Sequence, residues 1–381
     1  MSARPIDEPH RSASQLELLF DLVFVVAVAA ATAEFAHGIA DGHALAGLGG
    51  FLQVFFAIWW AWMNFTWFAS SYDTDDVAYR LLTMVQMAGV LVLAAGVPAA
   101  AGGDYRAVTV GYLVMRIGLV AQWLRVGVED PASRRTALRY AAGISVLQVG
   151  WVALLLVAPV VQPVFFVVLV VLELAVPRWA ERARPTNWHP HHIAERYGLF
   201  TIILLGESVL AAITGVRGAL EKAEISGSFI TIAVSGLVLL FALWLLYFLE
   251  PAGDGLNDRR DRSYLWGYGH YGIFAALVAL GASLEVAVGH TGGAVAAPPL
   301  AISYAVAISV GVYLVLLWLV HAPIVAKPVI HPTAVLGCAA AILLLPLAAP
   351  RLGVAVVVAG IALVCALLIA FTVATNESRI P

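Results

Sequence analysis

Asp21, Arg116, Glu207 and His270 are ionisable side chains set within long apolar runs. Carboxyls pass protons, and an imidazole does so near neutrality because its ordinary pKa is about 6.5. An arginine keeps its charge and serves as a fixed counter-ion. Gln86 adds an amide that could line a polar path. Glu207 is the most demanding of the set. It follows Ile193 by 14 residues within an apolar segment, about 20 Å along a helix. A charge at that depth in a bilayer costs roughly 2.5–3.5 kcal/mol on insertion scales, and such residues usually face a cavity or a partner. Arg116, also mid-segment, could neutralise Glu207, either as a counter-charge on the pathway or as a structural pair alone. His270 follows Gly267-Tyr268-Gly269, where another backbone can come close. It reads either as a proton carrier or as a satisfied core histidine. Asp21 is open between a pathway group and a structural pair.

A second group stands at the mouths of helices. Ser14-Gln15-Leu16-Glu17 fits the capping box, in which serine and glutamate satisfy the first turn reciprocally. Glu17 and Asp21, four apart, share a face. Glu34 and His37 close the same helix at its other end. His192, Glu195 and Arg196 open a later one. The run Trp188-His189-Pro190-His191-His192 has metal-binding residue types but no spaced acidic ligand. It sits at a helix entrance where proline suits the first turn, so no metal site is expected. The aromatic run Trp59–Trp67 reads as an interfacial belt, with a ligand-lining wall as the alternative.

The elements that hold these groups follow from composition. Of 381 residues, 62% are aliphatic or aromatic and 12% charged, half the charge of an ordinary soluble chain; mean hydropathy is +0.91. The expected class is all-α and polytopic. Runs of spanning length fall at 16–37, 48–69, 80–98, 106–125, 138–157, 160–177, 193–214, 229–249, 266–288, 298–320, 333–350 and 353–374. With both termini cytoplasmic, 16 of the 21 basic residues lie on inner segments and four on outer loops, Arg116 being inside a span. Cys338 and Cys365 sit in apolar runs and behave as small hydrophobes. Residues 1–15 lack an apolar run, so no cleavable signal peptide is expected.

The two halves resemble each other. Residues 15–22 align with 192–199, bringing Glu17 to within one position of Glu195, and the aromatic stretch 58–65 aligns with 243–250. Gln86 in the third span matches His270 in the ninth. This predicts two parallel six-helix repeats, 1–185 and 186–381, with Asp21, Gln86 and His270 at similar depth around one cytoplasm-facing cavity. Walker loops, dinucleotide fingerprints, zinc-protease helices and nucleophile elbows are missing from the sequence, so no cofactor is expected. The arginine-rich patches at 134–139, 178–184 and 259–262 suit topology and anionic headgroups, so no nucleic acid is expected.

At Glu17-Leu18-Leu19-Phe20-Asp21-Leu22-Val23-Phe24-Val25, and again at 195–208 from Glu195-Arg196-Tyr197-Gly198 to Gly206-Glu207-Ser208, the chain resembles the bacterial low temperature requirement protein A family. The resemblance implies a multi-pass protein of the bacterial cytoplasmic membrane, named for a growth phenotype and carrying no established reaction. The family's characteristic residues fall here on Glu17, Asp21, Glu195, Arg196, Gly206 and Glu207. A thinner likeness is to two-repeat cation channels whose opening helix carries Phe-Ser-Asp; here Phe20-Asp21 lacks the serine and Tyr197-Gly198 the acid. The leading expectation is a transporter or channel-like permease for a small solute or ion, with proton coupling through Asp21, Glu207 and His270. Against it stand an intramembrane enzyme acting on a lipid-soluble substrate, and a membrane-stress or scaffold protein in which polar groups only hold helices together.

Overall fold

The computed structural model describes residues 1, 3–5, 8, 11–221, 226–293, 295–325 and 328–376, without the side chains of 211, 212 and 214–221. Lys222, Lys327, Arg379 and the side chain of Arg217, which entered the charge balance, therefore lie outside the described residues. Every regular element among the described residues is helical. The long helices are α1 (Gln15–Ala40), α2 (Ala44–Tyr72), α3 (Val77–Ala101), α4 (Arg106–Glu129), α5 (Arg134–Leu154), α6 (Gln162–Glu181), α7 (Pro190–Glu221) and α8 (Gly227–Phe248). After the short α9 (Ala252–Asp258) come α10 (Ser263–His290), α11 (Pro299–His321), α12 (Pro332–Leu344), the short α13 (Ala349–Leu352) and α14 (Val354–Asn376). Eleven described stretches are long and apolar enough to cross a membrane. The 32-residue α7 is a further long helix.

Local chemistry explains the ends. The Ser14 backbone N–H donates to Glu17 at 2.7 Å and the Glu17 N–H reaches back to the Ser14 hydroxyl at 3.4 Å, so the capping box forms. Asp76 caps α3 by accepting the Tyr79 N–H at 3.0 Å. Proline opens α6, α11 and α12, where its missing N–H has no intrahelical partner to lose. The expected span at 333–350 is not one helix. Pro346 cannot donate an N–H, and the chain tightens into a 3-10 turn over Leu345–Ala348 before α13. The expected two-residue joint between the fifth and sixth spans is a turn over 155–161.

The chain divides into two compact units: residues 1–30 with 56–193, and residues 31–55 with 194–381. Helices α1, α2 and α7 contribute residues to both. In the first unit α3, α4, α5 and α6 pack in sequence order. The α3–α4 seam is the tightest, because Gly89, Gly96, Gly111 and Gly118 line it; a Cβ on Gly111 would stand 2.4 Å from the Leu93 backbone nitrogen. Small residues at such seams let helix backbones approach closely within a bilayer. In the second unit α10 is the central helix, packed against α8 and α11, while α14 packs on α8, α11 and α12.

Candidate functional site

The first unit gathers its charges into two buried clusters. One lies at the start of α1. Glu17, fully buried, accepts the Ser14 N–H and lies 3.0 Å from His192 Nε2 and 3.6 Å from Arg11 Nη2. The same guanidinium nitrogen lies 3.6 Å from Asp73. One turn further along α1, Asp21 accepts the indole N–H of Trp62 at 2.7 Å. Glu17 and His192 of the expected mouth are thus brought together.

The Asp73–Asp76 loop shows how position decides a carboxyl's behaviour. Burial, and then the charge of Glu17, push Asp73 above the usual carboxylate range, with Arg11 opposing. Three residues on, Asp76 is held well below that range, because Arg125 Nη1 and Nη2 donate to its two oxygens at 2.7 Å each. His189 is pulled below its ordinary value by burial and by its neighbour His191.

The second cluster centres on Glu173 of α6. It accepts Trp60 Nε1 at 2.8 Å, Trp151 Nε1 at 3.0 Å and the Tyr112 hydroxyl at 3.2 Å. Arg116 lies 3.8 Å away, donates to the Tyr112 hydroxyl, and sets its guanidinium 4.4 Å over that ring. The buried carboxylate partner of Arg116 is thus Glu173, which the sequence reading passed over. A lone acid inside the apolar run of α6 was the signal available. The aromatic run of α2 is corrected as well. Trp59, Trp60 and Trp62 are fully buried, so they form no interfacial belt. Two of them point indole N–H groups at buried acids.

Gln86 lies in the α3–α4 seam. It donates to Gln122 at 2.9 Å, and Gln122 donates to Thr83 at 3.1 Å. Interhelical amide bonds of this kind hold transmembrane helices together.

In the second unit His270 sits in an aromatic cage of Tyr197, Trp266 and Phe274. Its Nδ1 faces the Trp266 carbonyl at 2.7 Å, which fixes that nitrogen as the donor. Nε2 then accepts the Tyr247 hydroxyl at 3.1 Å. Both ring nitrogens are satisfied, the arrangement of a core histidine. Arg196 is fully buried and Glu195 exposed, so the two neighbours occupy different environments.

Glu207 differs from every acid above. The residue is buried, 8% exposed, and Oε2 has no hydrogen-bond partner among the described residues. The charged group close enough to act on it is a second acid, Glu285 of α10, which in turn feels His37 near the end of α1. Helices α7 and α10 meet closely just there, a Cβ on Gly281 standing 2.9 Å from the Ser208 hydroxyl. Glu285 was missed in the sequence for the same reason as Glu173. No three His, Cys, Asp or Glu side chains among the described residues are grouped as metal ligands.

Spanning-length helices with ionisable groups buried between them define a multi-pass membrane protein. A family model for the bacterial low temperature requirement A protein matches residues 12–373, and the chain belongs to that family. It is also similar to an uncharacterized protein of Rhizobium meliloti, 29% identical over 284 residues, which cover 70% of this chain and 67% of the relative. No solved structure matches the chain.

Proposed function

We propose that the protein is a permease of the bacterial cytoplasmic membrane that moves a small solute or ion, with proton uptake at Glu207 and Glu285. In this reading both termini are cytoplasmic and the halves 1–185 and 186–381 are parallel six-helix repeats. The observation that carries it is Glu207: a buried carboxyl with a free oxygen whose charged neighbour is an acid. Two carboxyls in low dielectric do not both hold charge readily, so the pair takes up a proton or a small cation. Glu207 stands about 25 Å along α7 from Pro190, well within a bilayer core of roughly 30 Å. His37, at the α1 end opposite the Glu17 cluster, would continue the path to the outer surface.

The scaffold reading is favoured at particular residues. Asp21, Gln86, Arg116 and His270 each have bonds that tie one helix to another. They hold the frame, and Glu207 with Glu285 works within it.

Proton flux into liposomes carrying the purified protein, driven by a pH gradient and read with an entrapped dye, tests this. Wild type should conduct, while Glu207→Gln and Glu285→Gln should not. Glu207→Gln should also insert and melt like wild type, since it breaks no ion pair. Undiminished flux in the variants, or none in wild type, would overturn the proposal.

A further inference from the structure

Two sets of arginines in the first unit differ in their surroundings. Arg4, Arg11, Arg80 and Arg125 each lie within ion-pair distance of a carboxylate, at Glu8, Glu17 and Asp73, Asp75, and Asp76 respectively. At one end of the α5–α6 hairpin the pattern stops. Arg134, Arg135, Arg182 and Arg184 are exposed, with no carboxylate in ion-pair distance among the described residues. Arg134 turns its Nε–H to the Gly127 carbonyl at 2.8 Å. The nearby acid Glu181 accepts from the Tyr140 hydroxyl at 3.2 Å and the Thr186 hydroxyl at 2.5 Å.

Two bonds put the arginines of both helices at the same end. The Thr136 hydroxyl donates to the Arg184 carbonyl at 2.9 Å, and Arg139 Nη1 donates to the Trp179 carbonyl at 3.2 Å. Arg139 also lies 5.5 Å over the half-exposed Trp179 ring, the placement of an aromatic at a membrane–water boundary. Away from that boundary the hairpin turns apolar side chains outward, Val146 and Val149 on α5 and Val167 and Val171 on α6. An unneutralised cationic cap over an aliphatic track is complementary to a lipid with an anionic headgroup, and basic clusters beside spanning helices bind such lipids. The positive groups come as two sets, one per helix, and packed helix axes lie about 8–10 Å apart. Two phosphates joined through a three-carbon bridge can reach both sets.

We propose that this end of the α5–α6 hairpin binds an anionic phospholipid carrying two phosphates, of the diphosphatidylglycerol type. The headgroup lies across Arg134, Arg135, Arg182 and Arg184, and the acyl chains follow the exposed valines. The full chain purified in a neutral detergent provides the test, with the thermal midpoint followed as diphosphatidylglycerol is added. The comparison lipid is phosphatidylglycerol at equal phosphate concentration. Diphosphatidylglycerol should raise the midpoint at lower phosphate than phosphatidylglycerol does. In the triple variant Arg135→Gln, Arg182→Gln, Arg184→Gln the half-saturating concentration should rise about 100-fold, roughly fivefold per arginine. A control, Arg259→Gln, Arg260→Gln, Arg262→Gln, removes as much charge elsewhere and should respond like wild type. Equal response to the two lipids, an undiminished response in the hairpin variant, or an equal loss in the control would each overturn the site.

Discussion

Glu173 and Glu207 are both single acids inside apolar helices, and the protein treats them in opposite ways. Around Glu173 four side chains from three other helices converge, Trp60, Tyr112, Arg116 and Trp151, and its charge is fully answered. Around Glu207 the described residues offer no cation, and a second acid stands near. An ionisable group in a membrane helix therefore has two fates. It is a knot when donors reach it from several helices, and keeps an unanswered oxygen when they do not. Depth along the helix does not separate the two cases; the partners do.

The largest break in this contrast should come from opening the knot. Arg116→Leu leaves the Glu173 charge without its counter-ion, and removing one member of a buried pair costs about 3–5 kcal/mol. Urea or thermal unfolding in detergent should register it, and a loss within about 1 kcal/mol would mean the cluster is not a knot. Next in size is Trp62→Phe, which deletes the indole N–H that Asp21 accepts. A hydrogen bond to a charged group contributes about 1.5–3 kcal/mol, to be measured the same way.

The smallest effect sharpens the contrast outside the membrane, in the Asp73–Asp76 loop. The pKa of Asp73 is raised, so its contribution to stability is greatest below the ordinary value near 4 and is lost as pH rises through the folded value. Asp73→Asn should flatten that decline and stabilise the protein at pH 7. Asp76 is depressed, so its contribution is present above about 4 and is lost as pH falls through the folded value. Asp76→Asn should lower stability at pH 7 by under about 1 kcal/mol, because water screens a partly exposed pair. The deficit should shrink on acidification. Melting curves from pH 3 to 8 (roughly the range that brackets the ordinary carboxyl value) would show the two slopes, and equal slopes would refute the opposition.

Composition and run length made the helical class legible, and the residues Ser14 and Glu17 gave away the start of α1, because a cap is satisfied within four residues of itself. Glu207 was legible as an anomaly of type against surroundings. Glu173 and Glu285 carried the same anomaly and were passed over. The tryptophans of α2 were misplaced at the interface because burial of a side chain depends on what other helices bring against it. For Trp60 the acceptor Glu173 is 113 residues away, and no periodicity in the sequence carries such a relation. The partners of Gln86 and His270, Gln122 and Tyr247, lie on neighbouring helices and were illegible for the same reason.

The glycine-lined seam between α3 and α4 has a thermal consequence. Hydrophobic association weakens on cooling, but within lipid it contributes little between helices, and cohesion comes from van der Waals contact and interhelical bonds. Backbone contact at Gly89 and Gly111, with the Gln86–Gln122 bond beside it, is cohesion of that enthalpic kind. This helix pair should hold its grip in the cold, when elements that depend on water for their association lose theirs.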